Sequence, residues 1–279
     1  DFLRNYSEKN PLRCHMPGHH GKHISAELSQ LYRFDITEIS GADSLFSHPY
    51  PAMYKRLHEK YGLKVQMNLF YEMPGFELSS FSDKYKEEWQ NNCDWLKLSF
   101  HSRLENEKPY EFSDYKEVYD DCSQVNKEIK RFAGLPLLAK TTTVHYCMAT
   151  KEGLNALIDN DLVGLLGLFG SAEEPGTSYS IDEANAKSIR NGEIVKLGKI
   201  YFAGIDIILN CYSKQEILKR LDNLTARNNI KVMIHEQYFY KYYIRYQPDF
   251  EEKLSQAFEF LINNLGLENL DCSHFAAKL

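Results

Sequence analysis

The chain has 279 residues, a formal net charge of −6 and no long run of like charges, so it offers no electrostatic surface for a phosphate backbone. We therefore expect no nucleic-acid partner. Its hydrophobic content of 43% suffices for a substantial core, and no segment approaches the roughly 18 apolar residues of a membrane span. The six cysteines stand singly, which is typical of reduced thiols in a cytoplasmic protein; an export signal upstream of this sequence stays open.

The first 46 residues show no sustained helical or strand period, which predicts an irregular N-terminal arm. Within it, "CHMPGHHGKH" places four histidines in residues 14–23. Pro17 and Gly18 interrupt the helix that would put His15 and His19 on one face, which favours a polar surface loop over a metal site.

Residues 11–49 contain "RCHMPGHHGKH" followed by "FDITEISGADSLFSHP" and resemble the start of the pyridoxal-phosphate-dependent ornithine, lysine and arginine decarboxylases. Such enzymes hold their cofactor on a lysine, usually beside a Ser/His-rich turn. The rest of the chain has no S-x-H-K element, so a decarboxylase-related fragment is the least favoured interpretation.

From about residue 50 the pattern alternates between amphipathic helices and short apolar strands, which is typical of βα units around a parallel sheet. One helix is predicted in "PAMYKRLHEKYG", ending at Gly62, and another after a capping box of Ser213 and Glu216. A third is predicted in "PDFEEKLSQAFEFLINNLG". The predicted strands are "LKVQMNLFYEM", "DWLKLSFHSR", "LLAKTTTVHYCMA", "LVGLLGLFG", "KIYFAGIDIILN" and "IKVMIHEQYFY".

No glycine-rich phosphate-binding motif follows any of these strands, which excludes the usual nucleotide-binding sites. We predict an α/β fold in which residues 47–279 form a distorted or partial (β/α) barrel with parallel strands, preceded by the arm of residues 1–46. An open doubly wound sheet is the structural alternative.

Polar residues cluster at the carboxyl ends of the predicted strands, where α/β barrels place their reactive groups. His101, His145 and His235 each end a different strand, Glu236 follows the last, and Asp206 lies on the fifth. Each histidine alone is equally well explained as a hydrogen-bonded strand end. Together they suit a catalytic metal, which needs about three protein ligands and an open position for water.

Residues 47–262 resemble the polysaccharide deacetylases, as judged from "LHEKYGLKVQMNLFYE", "SDKYKEEWQNNCDWLKLSFHSR", "TTTVHY", "IDIILNCYS" and "MIHEQYFY". The resemblance implies a metal-dependent carbohydrate esterase in which an Asp-Asp pair and an H-x-x-x-H element serve the metal. His101 matches the first histidine of that element, but Glu105 stands at the second. Asp35 matches the first aspartate, and Ile36 stands at the second.

Either Glu105 substitutes for the absent histidine or His145 does, and we favour His145 because it ends a predicted strand. The resemblance and the histidine pattern together predict a hydrolase that removes an acyl group from a carbohydrate with a divalent metal, for which we expect zinc, held by Asp35, His101 and His145. The candidate acid–base groups are His235, Glu236, Glu72 and Asp206. The alternative is an inactive barrel that binds carbohydrate through aromatic residues such as Tyr71, Tyr238, Phe239 and Tyr240. Nothing in the sequence indicates the oligomeric state.

Overall fold

A computed structural model of the chain describes residues 21–29, 41–73, 76–104, 110–170 and 178–272. Residues 21–29 are described by their backbone path and strand pairing alone. Asp35, Glu105 and residues 14–20 of the histidine-rich segment lie outside these ranges, so the predictions made for them stay predictions.

Five parallel strands form the main sheet, in the order β4 (Leu96–Leu104), β2 (Val65–Met73), β1 (Gly21–Ser29), β10 (Asn228–His235) and β9 (Ile207–Ile208). Two short strands extend it: β3 (Phe76–Glu77) is antiparallel to the end of β2, and β11 (Glu268–Asn269) is parallel to β1. The register aligns Ser99, Asn68, Ser29 and His235 across four neighbouring strands. The carboxyl ends of these strands therefore share one edge of the sheet.

A second sheet contains β5 (Thr141–Thr142), β6 (Gly164–Gly167), β8 (Ile200–Gly204) and β7 (Val195–Leu197), of which only β7 is antiparallel. A single parallel bridge between Leu98 and Leu138 joins it to the main sheet. The chain also passes from β8 directly into β9 of the main sheet. The α/β class with parallel strands is thus confirmed. Because the pairings in the described ranges leave two separate sheets, the distorted or partial barrel stays a prediction.

Seven α-helices lie in the described part of the chain, and none of them is long and apolar enough to cross a bilayer. They are α1 (Pro49–Tyr61), α2 (Lys86–Gln90), α3 (Tyr115–Phe132), α4 (Lys151–Asp159), α5 (Glu183–Arg190), α6 (Lys214–Asp222) and α7 (Phe250–Phe258), the last continued by a π-helical turn at Glu259–Asn264. Their apolar faces pack with the strands in one core, which includes Leu57, Leu98, Ile129, Leu221 and Phe258.

The helix ends read from the sequence are confirmed. Helix α1 ends at Gly62, whose φ of 65° is the left-handed conformation that glycine adopts without a steric penalty. Helix α6 begins with the predicted capping box, in which Ser213 and Glu216 each bond the other's backbone N–H.

The fifth predicted strand is divided into β8 and β9 by a kink at Ile205 and Asp206. Ile205 N donates to Gly167 O of the second sheet, whereas Asp206 N donates to Lys231 O of the main sheet. Consecutive N–H groups of a strand point to opposite sides, so this segment bonds to both sheets, and the paired partner changes from β6 before it to β10 after it.

The prediction of an irregular arm is wrong for residues 21–29. They form β1, which lies between β2 and β10, and Gly21–His23 of the histidine-rich segment begin this strand rather than a loop. Residues such as Lys, Ser, Ala and Glu in "GKHISAELS" have little strand preference, so pairing on both sides sets the conformation. The sheet thus runs across the predicted domain boundary at residue 46.

Candidate active site

A buried polar network lines one face of the sheet beside the shared carboxyl edge. Gln66 Nε2 donates to Asn68 Oδ1 at 2.9 Å and to Thr141 O at 3.0 Å, and Ser99 Oγ donates to the same carbonyl at 2.8 Å. Ser99 and His101 project to the same side of β4, because Ser99 bonds to Thr141 O and His101 to Thr143 O, although the pairing of β4 with β2 shifts by one residue at His101. The network connects β2, β4 and β5 directly below His101.

His101 lies inside β4, three residues before its end, rather than at the strand end predicted from the sequence. Its Nδ1 is 2.5 Å from Thr143 O. Because a carbonyl oxygen only accepts, Nδ1 carries the proton and Nε2 presents a lone pair. A histidine whose Nδ1–H is held by a backbone carbonyl is oriented as metal-binding histidines usually are.

His145 also departs from its prediction, because β5 stops at Thr142 and His145 begins a 3-10 turn, His145–Cys147. Tyr146 and Cys147 follow with φ values of 59° and 56°, a left-handed conformation that is costly for residues with a Cβ. The turn is held from the second sheet: Tyr179 Oη accepts from Val144 N at 3.2 Å and donates to Leu166 O at 2.6 Å.

His101 and His145 are hydrogen-bonded: because the proton of His101 is on Nδ1, its Nε2 accepts from the Nδ1–H of His145 at 3.2 Å. The ring of Phe70 meets both imidazoles edge-on at centroid distances of 5.0 Å and covers the pair on one side. Burial lowers the pKa of His101 well below its usual range, and the charges of His145 and His235 lower it further. His101 is therefore neutral at physiological pH.

His235 ends β10, as predicted, and stands in the same register row as Ser99. Asn210 Oδ1 accepts from both His235 N at 2.9 Å and His235 Nδ1 at 3.0 Å. His235 is therefore the Nδ1–H tautomer, with a lone pair on Nε2. Its ring is partly exposed, but the surrounding protein lowers its pKa to about 4 by desolvation.

Glu236 follows His235 and is fully buried at the start of the 3-10 turn Glu236–Phe239.

Most of the aromatic residues predicted as an alternative sugar-binding set pack inside the protein. Tyr71 and Tyr240 are buried, and the rings of Phe239 and Tyr240 pack against Tyr50. These rings are not open for stacking on a ligand.

The other two candidate acid–base residues lie apart from the histidine pair. Glu72, near the end of β2, is half-exposed and its Oε2 is 3.8 Å from Arg103 Nη2. Asp206 lies at the start of β9, opposite the carboxyl edge, and is almost fully buried in ion pairs with Arg227 and Lys231. Two buried cations on one carboxylate indicate a structural contact, so a proton-transfer role for Asp206 has no support from its position.

The nitrogen atoms of His101 and His145 could supply two of the ligands that a divalent metal needs. Two imidazole nitrogens bound to one tetrahedral zinc lie about 3.3 Å apart, close to the 3.2 Å of the hydrogen bond between His101 Nε2 and His145 Nδ1, so a metal would take the place of the proton that His145 Nδ1 donates. In the described ranges, however, no three His, Cys, Asp or Glu side chains are placed to hold a metal ion. A third ligand from the described part of the chain would require a movement, and the predicted third ligand, Asp35, lies outside those ranges.

Three residues that orient the candidate site were not predicted from the sequence: Thr143, Asn210 and Tyr179. Polar residues at every second position of β2 and β4, in "VQMN" and "LSFH", were the available signal that this sheet face is polar. Nothing in the sequence links Asn210 to His235, because that contact depends on where β9 enters the sheet.

No protein-family model and no curated protein sequence matches the chain. Solved structures do match. A 4-α-glucanotransferase from Thermococcus litoralis is similar over 94% of this chain and 41% of its own length, with a TM-score of 0.59 and 12% identity. The Bc1960 peptidoglycan N-acetylglucosamine deacetylase is similar over 97% of this chain and 95% of its own, with a TM-score of 0.52 and 9% identity.

A family 4 acetyl xylan esterase from Clostridium thermocellum, solved with a cobalt ion, matches over 92% of this chain and 91% of its own, with a TM-score of 0.46 and 12% identity. At such identities the matches show a shared fold and nothing about activity. The similarity in fold to the Bc1960 deacetylase agrees with the resemblance of residues 47–262 to polysaccharide deacetylases. The resemblance of residues 11–49 to pyridoxal-phosphate decarboxylases finds no support in these comparisons.

Proposed function

We propose that the protein is a metal-dependent hydrolase that removes an acyl group, such as acetyl, from a carbohydrate. The observation that carries this proposal is the His101–His145 pair, whose nitrogens lie 3.2 Å apart beside His235 at the carboxyl edge of the sheet. The similarity in fold to a peptidoglycan N-acetylglucosamine deacetylase supports the choice of substrate.

His101 and His145 would hold the metal, with Asp35 as the proposed third ligand, and zinc suits a set of two imidazoles and one carboxylate. When bound, the metal would supply a water of lowered pKa and polarise the acyl carbonyl. Thr143 O keeps His101 in the tautomer whose Nε2 can bind a cation. Phe70 covers the pair and excludes water from one side.

Proton transfer is assigned to His235 and Glu236. His235 has a lone pair on Nε2 and a pKa of about 4, so it is neutral at neutral pH and can act as a general base. The proton that it takes from the attacking water can then pass to the oxygen or nitrogen that leaves the acyl carbon. Glu236 is the alternative acceptor, because it follows His235 in the chain, whereas Glu72 is paired with Arg103.

The test is acetate release from acetylated xylo-oligosaccharides and from N-acetylchito-oligosaccharides, measured after chelation and after zinc is restored. We expect zinc-dependent release from at least one substrate, and a loss of several orders of magnitude in H101A, because activation of water is the step that the metal supplies. His58 provides a matched control, since its Nδ1 also lies 2.9 Å from a backbone carbonyl, that of Leu63. H58A should retain activity, and equal losses in both variants would contradict the proposal.

A second candidate is a protein that binds carbohydrate without hydrolysing it. It is favoured by the fact that no three metal-ligating side chains converge in the described ranges. In that case, oligosaccharide binding would be measurable in the absence of metal, and zinc would restore no acetate release from any of the substrates.

A further inference from the structure

A cavity lies between α4 and the β7–β8 hairpin, and we call it the α4–β8 cleft. It has a volume of about 850 Å³, within the range of small-molecule sites. It is lined by residues of α4, of the segment from Tyr179 to Asp182, and of the hairpin from Leu197 to Ile200. None of the candidate metal ligands or acid–base residues borders it.

The sequence of α4 gives this cleft an apolar floor and a polar rim. Leu154 and Ile158 are one helical turn apart and half-buried, and they form the floor with Ile181, Ile200 and Phe202. Lys151, Asn155 and Asp159 follow the same four-residue spacing on the adjacent, exposed face and form one rim. Ser180, Asp182 and Lys199 form the rim on the opposite side.

One exposed aromatic ring, that of Tyr115, borders the cleft, and two others lie near it in the sequence. Tyr115 borders it, donates from its hydroxyl to Asp159 Oδ2 at 2.8 Å, and stacks on Tyr119 with an interplanar angle of 13°. Phe112, on the preceding turn, is 66% exposed. Three exposed aromatic side chains within eight residues cost free energy in water unless a ligand covers them, and aromatic faces suit the C–H faces of sugar rings.

The rim carries hydrogen-bonding groups but no net charge. Lys151 and Lys199 are matched by Asp159 and Asp182, so a phosphate or a polycation would meet repulsion as well as attraction. In the parts of the chain that the structure describes, Lys151, Asn155 and Lys199 make no side-chain hydrogen bond or ion pair. They are therefore available to a ligand with many hydroxyl groups.

We propose that the α4–β8 cleft is a second binding site, separate from the candidate active site, for a neutral oligosaccharide. A sugar ring has an apolar face and a perimeter of hydroxyl groups, and it matches an apolar floor between two polar rims with an exposed aromatic ring at its border. The proposal does not depend on hydrolysis, because it rests on the chemistry of this cleft alone.

The test is calorimetric titration of the chelated protein with maltotetraose, xylotetraose and tri-N-acetylchitotriose. At least one probe should bind the unmodified chain. Y115A removes the ring that borders the cleft, and N155W fills the cleft from an exposed helix position, so each should weaken that binding by about tenfold or more. Thermal melting shows whether each variant remains folded.

The controls separate this site from the candidate active site. Tyr242 is also an exposed tyrosine, but it lies in the segment after β10, so Y242A should bind as the unmodified chain does. H101A should also bind normally, even if it has lost all activity. The proposal is overturned if none of the three probes binds, if both cleft variants bind normally, if Y242A or H101A alone loses binding, or if inorganic phosphate binds in preference to the oligosaccharides.

Discussion

At the scale of single residues, the site is shaped by hydrogen bonds that fix the orientation of histidine rings. Thr143 and Asn210 each hold a Nδ1–H, in His101 and His235 respectively, and leave both Nε2 atoms unprotonated. Tyr179 acts one step further away, because its hydroxyl holds the backbone just before His145. Two strained residues after His145 make that support necessary.

We expect Y179F to destabilise the protein by about 1–3 kcal/mol, because it leaves Leu166 O and Val144 N buried without their partner. Denaturant unfolding followed by circular dichroism measures this change. Y115F is the matched control, since its hydroxyl lies at the surface, and its unfolding midpoint should stay the same. Equal effects in the two variants would show that the Tyr179 hydroxyl does not support the turn.

The lowered histidine pKa values predict how stability depends on pH. Below about pH 6.5 the unfolded chain takes up protons on His101 and His235, while the folded chain does not until a lower pH. Each histidine should therefore reduce the free energy of unfolding by about 1.4 kcal/mol per pH unit as the pH falls, for His235 down to about pH 4. Above pH 7 they contribute no pH dependence.

Denaturant unfolding at pH 7, 6 and 5, in buffer with a chelator, tests this dependence. H235N should have a shallower decline than the unmodified chain, because it lacks one of the two titrating groups. An unchanged slope in this variant would mean that His235 is protonated in the folded protein at the same pH as in the unfolded chain.

At the scale of elements, the helix ends could be predicted from the sequence, because they depend on residues that are close together in the chain. Gly62 ends α1 and Ser213 begins α6 as predicted, because caps are set within one turn. Strand β1 was missed because its partners are remote: Ile24 pairs with Ile230. The division between β8 and β9 was missed for the same reason, since it reflects pairing with two different sheets.

Asp206 fixes that division, and we expect D206N to cost about 3–5 kcal/mol, because it leaves Arg227 and Lys231 buried without a counter-charge. Urea unfolding measures the loss. E251Q, which breaks the exposed pair of Glu251 with Arg56, should cost about 1 kcal/mol or less. If D206N instead left stability unchanged and abolished activity, Asp206 would belong to the catalytic groups after all.

At the scale of the whole molecule, the main sheet contains strands from both sides of the predicted domain boundary at residue 46. A chain of residues 47–279 would lack β1, so the strands β2 and β10 would each lose a hydrogen-bonded neighbour in the middle of the sheet. We expect this fragment to fail to unfold cooperatively on heating, as followed by circular dichroism, whereas the full chain does. If the fragment melts cooperatively at the same temperature as the full chain, residues 47–279 form a separate domain as predicted.

In the candidate site, too, the features set by nearby residues could be predicted and those set by remote contacts could not. His235 ends its strand as predicted, whereas His101 and His145 lie in contact but neither ends a strand, and their role as metal ligands stays a prediction. Their approach depends on the turn after β5 and on Tyr179, which lies in a 3-10 turn and also bonds to Leu166 of the second sheet, and neither has a local signal in the sequence.

The most direct measurement of the central claim is the metal content of the purified protein after equilibration with zinc, determined by elemental analysis. We predict about one zinc per unmodified chain and a clear loss in H101A and H145A, while H58A keeps its metal. Melting temperatures on the same samples should show that the loss is not caused by unfolding. Equal zinc content in all four proteins, including none in any of them, would contradict a metal site at His101 and His145.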